Sequence, residues 1–153
     1  VTRHDKLPAL APVEVPSVAR VKARQARAFL PTEHSIQAGL IQACRIMEAQ
    51  YPELGLLFAV PNGEYRHPKT AARLMSQGVR AGVPDLLLPI ARGRYIGLAI
   101  ELKRPGTGRL NPAQAAYLPK LAGAGWRVCI HTDAGEALAE VLLYLRLPAY
   151  PNR

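Results

Sequence analysis

Residues 82–103 read GVPDLLLPIARGRYIGLAIELK, and this stretch decides the architecture. Residues 85–90 and 95–103 are both strand-like, and Arg92, Gly93 and Arg94 between them make a short connection that predicts a hairpin. Alternation along the second strand puts Leu98, Ile100 and Leu102 on one face and Ala99, Glu101 and Lys103 on the other. An acid and a base therefore share a face at the end of a strand. Asp85 opens the neighbouring strand directly after Gly82, Val83 and Pro84, so hairpin pairing could bring its carboxylate beside Glu101 at one edge of the sheet.

Downstream, the second strand runs into a loop of Pro105, Gly106, Thr107 and Gly108. Asn111 then caps a helix with Pro112 at its first position. Residues 126–131 form another strand, and residues 133–145 a closing helix. Upstream, Ile36, Leu40, Ala43, Cys44 and Met47 recur at three- and four-residue steps behind Thr32, the pattern of a capped helix with one buried face. That helix should stop near Tyr51 and Pro52. Residues 55–60 read as a short buried strand before the turn-forming Pro61, Asn62 and Gly63, and residues 68–77 as a helix ending at Gly78. The passage from Ile100 through a helix to Val128 calls for a parallel crossover. The expected fold class is therefore α/β, a central mixed sheet flanked by helices on both sides.

A chain of 153 residues, 49% hydrophobic, is enough for one core and short for two. Residues 1–31 carry Pro8, Pro12, Pro16 and Pro31 among Arg3, Lys6, Arg20, Lys22, Arg24 and Arg27, which suits a basic arm. The organisation is thus an arm over 1–31, one domain over 32–147 and a tail over 148–153. Twenty Lys and Arg against 11 Asp and Glu favour a polyanionic partner, nucleic acid before an anionic membrane. No run of about 20 apolar residues and no signal-peptide core is visible, so the expected location is the cytoplasm, without a membrane partner and without secretion. Cys44 and Cys129 sit in apolar surroundings as reduced core residues.

Two carboxylates that leave positions open for water and a substrate phosphate suit Mg²⁺, a hard ion that seldom occupies a full protein cage. The expected ligands are Asp85, Glu101 and the backbone carbonyl of Leu102. A metal there would acidify a bound water and offset charge on a phosphate, while Lys103 orients or deprotonates the attacking water. Phosphodiester hydrolysis is the reaction this chemistry predicts. His4, His34, His67 and His131 share no zinc-ligand spacing, no Ser, His and Asp arrangement suggests itself, and residues 104–109 lack the Lys-Ser/Thr ending of a nucleotide-binding loop. Tyr65, Tyr95, Tyr117 and Trp126 are too scattered for a base-stacking platform and read as packing residues. Arg66, Lys69, Arg73, Arg80, Arg104 and Arg109 lie near the expected site in sequence and are candidates for phosphate contacts.

The sequence Pro84, Asp85, then Glu101, Leu102, Lys103, resembles the PD-(D/E)xK nuclease superfamily. More narrowly it resembles the virus-type replication-repair nuclease family, VRR-Nuc. The resemblance extends from about Glu33 to His131 and rests also on Glu33 with Gln37, on residues 78–85, and on Gln114 before Gly125, Trp126, Arg127 and Val128. It implies a restriction-endonuclease-like core and a Mg²⁺- or Mn²⁺-dependent DNA endonuclease, with stand-alone members acting as homodimers on branched DNA such as Holliday junctions. It makes Asp85 and Glu101 metal ligands, Lys103 the catalytic lysine, and Glu33 and Gln114 supporting active-site residues, Glu33 being a further candidate ligand. The family's arginine-bearing segment is matched only in part, with Arg127 the one arginine retained.

Two of these residues have local explanations as well. Glu33 is an acid in the first turn of a helix, where the helix dipole favours it, and Asn111 with Gln114 has the spacing of a capping box. Two other functions stay open on the sequence: a noncatalytic DNA- or junction-binding protein on the same fold, and a sequence-specific restriction-type endonuclease. A homodimer also suits the two-fold symmetry of a four-way junction.

Overall fold

A computed structural model describes residues 30–61 and 68–150. In chain order they form helix α1 (Glu33–Met47), a 3-10 turn (Pro52–Leu56), strand β1 (Phe58–Ala59), helix α2 (Pro68–Ser76), strands β2 (Leu86–Leu88) and β3 (Gly97–Leu102), helix α3 (Pro112–Gly123), strand β4 (Trp126–His131) and helix α4 (Ala134–Leu145). Most of the expected basic arm, and Arg66, lie outside the described residues.

The sheet is mixed, in the order β1-β2-β3-β4. The expected hairpin pairs β2 with β3 antiparallel, Leu86 opposite Ile100 and Leu88 opposite Leu98. The crossover through α3 makes β4 parallel to β3. Both strands of the hairpin are shorter than their apolar runs. Pro89 has no N–H to give the ladder and ends β2 after Leu88. A turn in which Arg92 and Tyr95 bond each other's backbone separates the strands.

The region before the hairpin corrects the sequence reading. Residues 55–60 do not form a buried strand, because Pro52 opens a 3-10 turn that runs through Leu56. Only Phe58 and Ala59 pair, both exposed, since β1 is the sheet edge and has a three-residue neighbour. Likewise α1 ends at Met47, one turn before Tyr51.

Alternation on β3 divides the two faces as expected. Leu98, Ile100 and Leu102 point toward α1 and α4 and join one apolar cluster with Leu86 and Leu88. Helix α1 contributes Ile36, Leu40 and Cys44, its first turn held by reciprocal bonds between Thr32 and Ser35. Helix α4, capped by Asp133, contributes Ala137, Val141, Tyr144 and Leu145. Each fully buried Leu, Ile or Val among them contributes roughly 1.5–3 kcal/mol relative to exposure. On the other face α3 packs over β4, with Leu118 near Val128 and Ile130. Gly97 is required there, because a Cβ would lie 2.4 Å from the Trp126 ring.

Burial pushes the Cys44 thiol up to about 11 and the Cys129 thiol up to about 12, so neither is a nucleophile at neutral pH. Among the described residues no helix is long and apolar enough to cross a membrane.

Candidate active site

Every residue of β3 is buried, and Glu101 is a carboxylate with 0% exposure in the middle of a sheet. A charge in that position needs partners. It has two on one oxygen: Lys103 Nζ lies 2.7 Å from Glu101 Oε1, and Gln114 Nε2 donates to the same atom. Glu101 Oε2 is buried and has no hydrogen-bond partner among the described residues. One carboxylate oxygen is thus saturated and the other is open.

Desolvation by burial is the largest influence on Glu101. The hydrogen bond from Lys103 opposes it, repulsion from Asp85 and Glu33 adds to it, and the carboxyl is raised to about 7. Asp85 and Glu33 both reach the end of β3: Asp85 Oδ2 accepts the Leu102 amide, and Glu33 Oε2 lies 4.0 Å from Lys103 Nζ.

Asp85 reaches that region through the hairpin. One residue outward from the Leu86–Ile100 pair it falls opposite Glu101. Its backbone carbonyl accepts the Val60 amide at 2.8 Å, and its Oδ2 accepts the Leu102 amide at 2.8 Å. In a strand the N–H and C=O of one residue point to the same side, so the Leu102 carbonyl also faces the Asp85 side of β3. The loop that delivers Asp85 is pressed against the first turn of α3. Gly82, at φ 84°, leaves no room for a Cβ, which would sit 2.3 Å from the Ala113 carbonyl oxygen.

Gln114 serves the cap of α3 and also reaches β3. Its Oε1 accepts the Asn111 amide at 3.0 Å and its own N–H donates to Asn111 Oδ1 at 2.9 Å, completing a capping box. The amide nitrogen at the other end of the same side chain donates to Glu101. Glu33, at the first position of α1, lies more loosely: Oε1 accepts the Arg104 amide at 3.1 Å, and Oε2 is 4.0 Å from Lys103 Nζ. Gln37 is half-buried and makes no hydrogen bond with Asp85, Glu101 or Lys103.

Hard-oxygen donors thus converge from β3 and the start of β2. Among the described residues no group of three or more His, Cys, Asp and Glu is placed to hold a metal ion. Two carboxylates and a carbonyl nevertheless match what Mg²⁺ takes from a protein, the remaining positions going to water and phosphate. An open, buried carboxylate oxygen fits that ion better than a closed protein cage would.

The remaining candidates are dispersed. Arg73, Arg80 and Arg109 are exposed, Arg104 is half-buried beside the Glu33 contact, and the Lys69 side chain lies outside the description. His131 ends β4 next to Leu102, its carbonyl accepting the Lys103 amide at 2.9 Å. Arg127 is at the far end of β4, where it pairs with Glu140 of α4. The sequence reading passed over Lys120, which shares a groove with Arg80 and Tyr117. It stands on α3 six residues beyond Gln114.

A family model described as the VRR-NUC domain matches residues 36–132. Among solved structures, a chain described as a VRR-NUC domain protein superposes with a TM-score of 0.67 at 27% identity, covering 79% of this chain and 93% of that one. No functionally curated protein matches.

Proposed function

The chain belongs to the VRR-NUC domain family, a nuclease-type family, and on that premise we propose that it is a Mg²⁺- or Mn²⁺-dependent DNA endonuclease selective for branched DNA such as Holliday junctions. The observation that carries the metal-dependent reading is Glu101, fully buried, with Lys103 and Gln114 on one oxygen and, among the described residues, no hydrogen-bond partner on the other. A structural ion pair would satisfy both oxygens, since an unsatisfied buried polar atom costs about 1–3 kcal/mol.

In this reading Asp85, Glu101 and the Leu102 carbonyl hold the metal, with Glu33 at the margin of the site. The bound ion supplies Lewis acidity toward the phosphate and a water of lowered pKa. Asp85 is held in place by the Leu102 amide, so its carboxylate is oriented before anything binds. Lys103, 7% exposed at the strand end, holds the attacking water on the Glu101 side and lends positive charge to the phosphorane-like transition state. Gln114 fixes the Glu101 carboxylate against rotation. Exposed Arg73, Arg80 and Arg109 position the backbone without reading bases. The net charge of +9 draws DNA to the protein at long range. A homodimer would present two such sites to the two-fold symmetry of a junction.

The test is cleavage of a labelled four-way junction beside matched linear duplex, with Mg²⁺, Mn²⁺ or EDTA, comparing wild type with Lys103→Ala. Metal-dependent junction cutting that the variant lacks supports both site and substrate. Equal cutting of both DNAs removes the branch preference, and no cutting of any DNA overturns the enzyme.

A further inference from the structure

An open groove of about 690 Å³ lies between the loop after α2 and one side of α3, lined by Met75, Val79, Arg80, Tyr117, Lys120 and Leu121. Its position relative to the buried carboxylate follows from helix geometry. Gln114, Tyr117 and Leu121 are spaced three and four apart, which puts them in one stripe along α3. The first of them is bonded to Glu101. The opposite wall is the segment that continues through Gly82, packed on Ala113, to Asp85. The groove therefore leads away from the Asp85 and Glu101 carboxylates.

Its chemistry is mixed in a specific way. Met75, Val79, Leu121 and the Tyr117 ring give an apolar, partly aromatic floor, and Arg80 and Lys120 are exposed cations on its rim. Among the described residues neither cation has an ion-pair partner. An apolar slot with an aromatic face and two unneutralised cations complements one nucleotide, a flat base with a phosphate on either side. A paired base cannot enter, since both its faces are stacked in the duplex.

Building on the nuclease reading, we propose that this groove seats an unpaired nucleotide of the DNA strand adjoining the cut, its base on the Tyr117 ring and its phosphates against Arg80 and Lys120. Tyr117, a packing residue by sequence pattern, is half-buried and lines an open surface. The groove would give the enzyme a physical means of preferring branched or frayed DNA: only a strand with an unstacked base fills it.

The test uses the full chain in EDTA, so that binding is measured without cleavage. The probe is a short single-stranded oligonucleotide with 2-aminopurine at its centre, with a blunt duplex as control. Tyr117→Phe should bind the single strand like wild type. Tyr117→Leu, which keeps apolar bulk and loses the stacking face, should bind it about five- to a hundredfold more weakly, with a far smaller effect on duplex and without the 2-aminopurine quenching. Replacing Arg80 and Lys120 together by Gln should reduce the slope of log affinity against log salt by about 1.4.

Unchanged single-strand binding by Tyr117→Leu, or equal losses on single strand and duplex, overturns the groove assignment while metal-dependent junction cutting by the wild type leaves the nuclease reading standing. Self-association lost in Tyr117→Leu with DNA binding intact also overturns it, and gives the groove to a second copy of the chain. Selective binding in EDTA by a wild type that cuts nothing with metal supports the groove and overturns only the nuclease.

Discussion

Replacing Glu101 by Gln in metal-free protein keeps the shape of a fully buried side chain and removes the charge that burial penalises. The wild-type carboxyl is raised from an ordinary 4.5 to about 7, first by burial. Because the folded value lies above the unfolded one, the folded chain keeps a proton that the unfolded chain has already released in the interval between them. The wild type therefore holds this contribution in full below pH 4.5 and loses it as pH rises through about 7. The gap corresponds to about 3 kcal/mol. An amide in place of the carboxyl does not titrate, so the variant lacks this pH dependence throughout.

Urea unfolding of both proteins in EDTA, from pH 4.5 to pH 8, measures the difference directly. Wild type should lose about 3 kcal/mol relative to Glu101→Gln over that range. For a slope of about 1–3 kcal/mol per molar urea, the midpoints should move apart by at least about 1 M. The variant should be the more stable protein at pH 8 and inactive toward DNA. Parallel pH profiles for the two proteins would refute the reasoning, because they would mean that Glu101 carries no burial penalty. Adding Mg²⁺ at pH 8 should restore wild type, by about 2.7 kcal/mol at a hundred times the dissociation constant, and leave the variant unmoved.

Other consequences can be checked alongside. Lys103→Ala should lower the cleavage rate by at least about a hundredfold, the scale of a lost transition-state donor, while calorimetric Mn²⁺ binding persists; lost Mn²⁺ binding would instead make Lys103 a structural support. Asp85→Asn should weaken Mn²⁺ binding by at least about tenfold and still accept the Leu102 amide, so its melting temperature in EDTA should change little. Gln114→Ala keeps the Asn111 bond to the backbone N–H of residue 114 and loses the reciprocal side-chain bond and the contact to Glu101, so it should destabilise by about 0.5–1.5 kcal/mol and also depress cleavage; a variant that loses stability alone would confine Gln114 to capping. Gly82→Ala should destabilise by more than about 1 kcal/mol, since a Cβ there meets the Ala113 carbonyl and φ is 84°, and thermal unfolding measures it.

The core of the fold was legible because period and punctuation agree. The three-and-four spacing behind Thr32, the alternation from Leu98 to Leu102 and the Asn111, Pro112 start of α3 each carry a local signal, and all three elements form, α1 and β3 within shorter bounds than expected. Residues 55–60 misled because an apolar run near Pro and Gly does not say how many neighbours a strand will have. At the edge of the sheet, Phe58 and Ala59 find one short partner, and Pro52 has already turned the preceding residues into a 3-10 helix. Edge strands are decided by tertiary pairing, which a single sequence does not display.

The candidate site was legible to the extent that it is local. Glu101 and Lys103 share a face by alternation alone, and the hairpin brings Asp85 opposite Glu101. The roles of Gln114 and Glu33 could not be read that way, because each depends on an element remote in sequence. Gln114 read as either a cap or a site residue, yet its amide has two ends: the oxygen serves Asn111 and the nitrogen serves Glu101. The same capping box that starts α3 therefore sets the orientation of the buried carboxylate, and the same first turn is where Gly82 lets the Asp85 loop dock. Both acids are referenced to one turn of helix, so a shift of α3 would disturb them together.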